Sequence, residues 1–142
     1  MDWKRYVLAF AAFVVLTFAF AAPWHLWLFK EVYDRLGAYT RAEPIFALGL
    51  LSIVLEGIVF VSLYARFRTD RHPAAEGARF GLLMGVFMGA YGALAVGAKM
   101  TVSSLPLWLL LEGSSFLIQF TLVGAVVGLI CGRRLVARSE RR

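Results

Sequence analysis

Long apolar runs separated by short charged stretches set the pattern of this chain. Four runs, over residues 6–29, 44–64, 80–98 and 107–130, reach the roughly 20 residues a helix needs to cross bilayer hydrocarbon. Residues 76–99 read EGARFGLLMGVFMGAYGALAVGAK, with Gly77, Gly81, Gly85 and Gly89 at every fourth position. That spacing puts the four glycines on one helical face, one turn apart. Glycine weakens a helix in water. In lipid a bare glycine ridge lets a neighbouring backbone come close, which is how many membrane helices associate. The predicted fold is therefore an all-α membrane protein, a four-transmembrane-helix bundle forming one domain over residues 1–142.

The first run begins like a secretory signal, with Lys4 and Arg5 ahead of it and Ala19-Phe20-Ala21 resembling a cleavage site. It continues through Trp24, Leu26, Trp27, Leu28 and Phe29, longer than a signal core, so a retained helix is expected. Trp3 and Tyr6 at one end, with Trp24 and Trp27 at the other, mark two aromatic belts. Phe29, Val32, Tyr33 and Leu36 then follow helical spacing up to Gly37, with Glu31 and Arg35 as an i,i+4 pair. They predict a short interfacial helix between helices 1 and 2. Pro44 suits the first turn of the second helix.

The fourth run carries glycines of its own, Gly124, Gly128 and Gly132. If the turn between runs three and four centres near Ser103, equal counting places Gly81 beside Ala125 and Gly77 beside Leu129. The predicted contact is close towards the chain termini and looser towards the turn.

Composition agrees with the pattern: 61% of the 142 residues are hydrophobic and 17% charged, with a mean hydropathy of +0.74. These values exclude an ordinary soluble domain of this size. The net charge of +6 belongs to basic residues flanking the runs, which points to lipid headgroups and topology and not to nucleic acid. Eleven of the 15 Lys and Arg fall at the N-terminus, in the loop around Arg66 to Arg79 and in the tail; four fall on the other side. The positive-inside rule then puts both termini in the cytoplasm. The single Cys131 excludes an internal disulfide and a cysteine-based metal cage, and no cofactor or metal set is implied.

Polar residues inside the runs are the candidate site. Leu55-Glu56-Gly57 in the second helix recurs as Leu111-Glu112-Gly113 in the fourth. The echo fits a parallel two-helix repeat, and it fits chance in an apolar, glycine-rich chain equally well. A carboxylate at membrane depth costs a few kcal/mol and so turns towards the bundle interior and a partner. Counting 1.5 Å per residue, Glu56 lies about 18 Å into its helix and Glu112 about 8 Å into its own. Thr17 and Gln119 share the depth of Glu56, while His25, Ser52 and Lys99 share that of Glu112. Ser52 and Glu56 form one stripe, and Glu112, Ser115 and Gln119 another. Two readings follow. In the first, Glu112 pairs with Lys99, and a protonated Glu56 bonds Thr17, Gln119 or Tyr91, orienting the helices. In the second, Glu56, Glu112, Gln119, Ser52, Ser115, Thr17 and His25 line a ligand or proton site open to the outside.

The stretches EGARFGLLMG, LLEGSSF and RYVLAF, with four helices in this length, resemble small uncharacterised four-helix proteins of the bacterial inner membrane. The resemblance implies a multi-pass protein of that membrane and transfers no activity. Small multidrug-resistance transporters carry a glutamate in the first helix, and this chain has none there. Two functions stay open: binding or passing a small cationic or protonatable ligand through the carboxylates, or a non-catalytic subunit that packs on a membrane partner or a second copy through glycine faces. No HExxH, GxSxG, phosphate loop or paired cysteine is present, so the expectation is not an enzyme.

Overall fold

The computed structural model describes residues 1–39, 41, 43–69 and 72–132. Helix α1 spans Trp3–Pro23 and continues as a π-helical turn over Trp24–Leu28; a short α2 spans Lys30–Leu36. Helix α3 spans Phe46–Phe67, α4 spans Pro73–Gly89 with a π-helical extension over Ala90–Ala95, and α5 spans Leu105–Gly132. The four long helices, extensions included, are long and apolar enough to cross a membrane. By this composition the protein is a small multi-pass membrane protein. Arg71 and the arginines of the tail, which entered the charge count, lie outside the described residues.

Local chemistry explains the helix ends. Asp2 caps α1 by accepting from Arg5 N at 3.0 Å. Pro23 has no N–H to donate, so the helix widens, and Phe29 N donates five residues back to Trp24 O at 3.1 Å. Gly37 ends α2 in the left-handed conformation, φ +69°. Helix α3 begins at Phe46 and not at Pro44, while α4 begins at Pro73, well before the apolar run. At the far end of α5, the Cys131 carbonyl accepts from Arg5, at 3.5 Å, and from Arg68. The N-terminus, the α3–α4 connection and the end of α5 therefore share one end of the bundle.

The tightest seam is α4 against α5. A β-carbon on Gly77 would lie 2.8 Å from Gly128 Cα, and one on Gly124 would lie 2.8 Å from Gly81 Cα. Measured to the nearest atom of α5, the approach is closer still at Gly77, to Gly124 O, and at Gly81, to Phe120 O, and relaxes to 2.8 Å at Gly85 and 3.4 Å at Gly89. Contact is closest towards the termini, as the glycine spacing predicts. Gly81 faces Phe120 and Gly124 instead of Ala125, and Gly77 faces Gly124 and Gly128 instead of Leu129. The π-helical extension explains the shift, because it takes up residues without the rise of a regular helix.

Helix α1 packs on both α5 and α3, through a core of Phe13, Phe60, Phe120 and Val127. The α3–α4 contact is slight, and every described residue from Glu43 to Ser52 is exposed. Helix α2 is docked on the bundle: Tyr33 and Leu36 pack with Trp108 and Leu111. Ser103 donates through N to Leu36 O and through Oγ to Arg35 O, both at 3.0 Å. The ion pair on α2 is Lys30–Asp34. Arg35 donates to the Glu31 carbonyl, not to its carboxylate.

Candidate functional site

The π-helical turn after Pro23 carries His25, whose Nδ1 lies 2.9 Å from Ala21 O. A carbonyl only accepts, so Nδ1 holds a hydrogen. The other ring nitrogen, Nε2, lies 3.2 Å from Glu112 Oε1, with side-chain exposures of 23% for His25 and 8% for Glu112. A hydrogen must stand between these two atoms. The pair is either imidazolium with carboxylate or imidazole with carboxylic acid, and it is neutral in both forms. One turn along α5, Ser115 Oγ donates to the Glu112 carbonyl at 2.9 Å.

Two aromatic donors surround this pair. The His25 and Tyr33 rings lie 5.1 Å apart, and Tyr33 lies 5.2 Å from Tyr39. Tyr33 OH and Trp24 Nε1 are buried, and neither has a hydrogen-bond partner among the described residues. Both phenols feel the charge of Glu112 without bonding it in good geometry. Burial first, and that charge second, push the Tyr33 phenol above the ordinary value of about 10. Tyr33 stays neutral at physiological pH.

From His25 a cleft of about 530 Å³ opens at the α2 end, lined also by Leu26, Lys30, Asp34, Ala38, Tyr39, Arg41 and Pro44. With Lys30 and Asp34 paired, Arg41 leaves the mouth positive.

No protein family matches this chain, and no curated protein or solved structure is significantly similar to it. The resemblance read from its short motifs therefore reduces to four apolar spans, and no family is identified.

The structure divides the seven candidate residues. Thr17, Glu112, Ser115 and Gln119 are buried, and His25 joins them through Glu112. Gln119 lines a recess between α1 and α5 with Leu16, Phe20 and Val123. Thr17 Oγ1 has no partner among the described residues, so the expected bond from Glu56 is not made. Ser52 and Glu56 sit elsewhere. Ser52 is exposed and donates to Glu56 Oε1 at 2.8 Å. The half-buried Glu56 lies in an apolar groove with Met84, Phe87, Met88 and Phe120. The single polar column is thus corrected to a buried seam on α1 and α5 and a separate pair on α3.

Lys99 does not reach Glu112. It is exposed, with Nζ 5.8 Å from the centre of the Tyr91 ring. The sequence reading missed Tyr33 and Trp24 as polar groups because helical spacing and belt position accounted for them as apolar. Nothing in the pattern marked Lys30, Asp34, Tyr39 and Arg41 as a shared rim, since the docking of α2 brings them together.

Proposed function

We propose that this membrane protein binds a small molecule bearing a weak-acid group in the cleft over His25 and Glu112, and holds or passes it without covalent chemistry. The observation that carries the reading is the 3.2 Å contact between a histidine that lines the cleft and a carboxylate buried behind it. A bare cation suits the cleft poorly, because Glu112 is already neutralised and Arg41 stands at the mouth. An anion suits it better: Arg41 and His25 line it, and the neutral pair can take up one proton, becoming imidazolium with carboxylic acid. The charge bias orients the α2 end outward, and the bacterial inner membrane is the setting we assign.

The test is binding of 4-fluorobenzoate to the protein in phosphatidylcholine nanodiscs, followed by ¹⁹F NMR with proton uptake recorded in parallel. The wild type should bind with net proton uptake. A His25→Gln, Glu112→Gln variant should bind about tenfold more weakly and without it. Equal binding and uptake in the two proteins would overturn the reading.

A second reading rests on α3. Gly49 and Ser52 are exposed there, nothing lies within 4 Å of a β-carbon on Gly49, and Glu56 bonds within its own helix. A carboxylate at that depth favours cover from another transmembrane helix, which makes the protein a non-catalytic subunit. The glycine ridges of α4 and α5 are spent on each other, so the docking face is α3. Cross-linking from Cys introduced at Ser52 in native membranes should capture that partner, and recovery of lone, unlinked protein would count against it.

A further inference from the structure

The cleft over His25 does not stand alone. Further into the membrane, the same two chain segments bound an apolar groove of about 610 Å³, with Val14, Phe18 and Ala19 of α1 on one wall and Phe46, Ala47 and Leu50 of α3 on the other. Ala19 lies less than two turns below His25, and Ala47 lies three residues after Pro44, which lines the cleft. A polar chamber at the helix ends is thus stacked on an apolar slot open to lipid. We infer that the ligand is a long-chain carboxylic acid, its acid group in the cleft and its hydrocarbon chain in the groove between α1 and α3.

This deepens the weak-acid reading and rests on it. Each half of the ligand has its own warrant. Arg41 and His25, which both line the cleft, suit an acid group, with Lys30 beside them held by Asp34. From His25 to Val14 is about 16 Å along the helix, a length only an extended chain fills. A diacyl phosphodiester fits less well, since it offers two chains to one slot and has no weak-acid proton to share with His25 and Glu112. The titratable and charged groups facing that pair are the Tyr33 phenol of α2, the Tyr39 phenol and, at the rim, Lys30, Asp34 and Arg41. Proton uptake is therefore compared between the wild type and the His25→Gln, Glu112→Gln variant, in which these surrounding groups are unchanged.

Electron spin resonance of doxyl-labelled stearic acid in phosphatidylcholine nanodiscs containing the intact chain tests the inference. Wild-type protein should immobilise a larger fraction of labelled stearic acid than of labelled phosphatidylcholine. Ala19→Trp and Ala47→Trp, both at exposed positions and both filling the groove, should each bring that fraction down to the phosphatidylcholine level. Equal immobilisation of the two lipids, or a fraction untouched by both tryptophans, would overturn it. If 4-fluorobenzoate still binds through His25 and Glu112 in the same nanodiscs, only the chain assignment falls. If it does not, the weak-acid reading falls as well.

Discussion

The tripeptide Leu-Glu-Gly occurs on α3 and again on α5, and the two copies meet different surroundings. On α5, Glu112 turns to His25 of the first span, while Gly113 faces open space, with nothing within 4 Å of a β-carbon placed there. On α3 the roles are exchanged. Gly57 is the buried residue, and a β-carbon on it would lie 2.9 Å from Phe13 Cδ1 of α1; Glu56 points into the groove beside α4. Adjacent residues are about 100° apart around a helix, so the copies differ in rotation towards α1 by one position. Identical local sequence gave both carboxylates a membrane-depth position. The neighbouring helices decided which was enclosed. Glu112 is held from two sides because the glycines of α5 press that helix onto α4 while its other face packs on α1.

The strongest way to break the comparison is to remove the glycine seam that holds α5. Gly124→Leu puts side-chain atoms where Gly81 Cα already lies, at 2.8 Å from the first added carbon. The obstacle is backbone, which cannot rotate away, so the cost is expected at the upper end of overpacking, about 3 kcal/mol. Gly49→Leu on α3 meets nothing within 4 Å and should change stability by less than about 0.5 kcal/mol. Reversible unfolding in mixed micelles measures both. Equal losses would mean that the seam is no tighter than the open face of α3.

A middle-sized effect separates the two carboxylates directly. Removing Glu112 takes away the buried partner of His25 Nε2, at a cost of about 1–2 kcal/mol. Glu56→Ala gives up a bond to Ser52, an exposed neighbour on the same helix, and should stay within about 0.5 kcal/mol. A double-mutant cycle between His25→Ala and Glu112→Ala should return a coupling near 1 kcal/mol, and the same cycle between Ser52 and Glu56 close to none. Swapped values would reverse the assignment of enclosed and open sites.

These contrasts also mark what one-dimensional pattern can carry. Four spans, the docked helix up to Gly37 and the end at which the glycines meet were all legible, because apolar length and i,i+4 spacing are local properties. Helix rotation was not. Ser52 and Glu56 form a true stripe, yet no periodicity within α3 says which neighbour the stripe faces. His25 reached the candidate set only by depth, and its partnership with Glu112 depends on the widened turn after Pro23. Lys99 was the nearer cation by count, but it sits on the exposed side of its helix end.

The smallest effect sharpens the comparison at the cap, because α2 covers Glu112 and leaves Glu56 uncovered. Tyr33 is fully buried in that cap, and its phenol ionises above the ordinary range because of burial and the Glu112 charge. A raised folded-state value means that the neutral phenol supports the fold fully below the unfolded value of about 10 and stops doing so as pH rises through the folded value. Tyr33 OH also has no hydrogen-bond partner among the described residues. Tyr33→Phe therefore removes a buried polar atom that gains nothing at neutral pH, and stability there should hold or rise by a few tenths of a kcal/mol. Above pH of about 10 the two proteins should part, with the wild type losing stability more steeply than the variant. Unfolding midpoints followed across that range measure the divergence. Parallel alkaline slopes would mean that Tyr33 ionises as freely as an exposed phenol, and that α2 does not seal the chamber over Glu112.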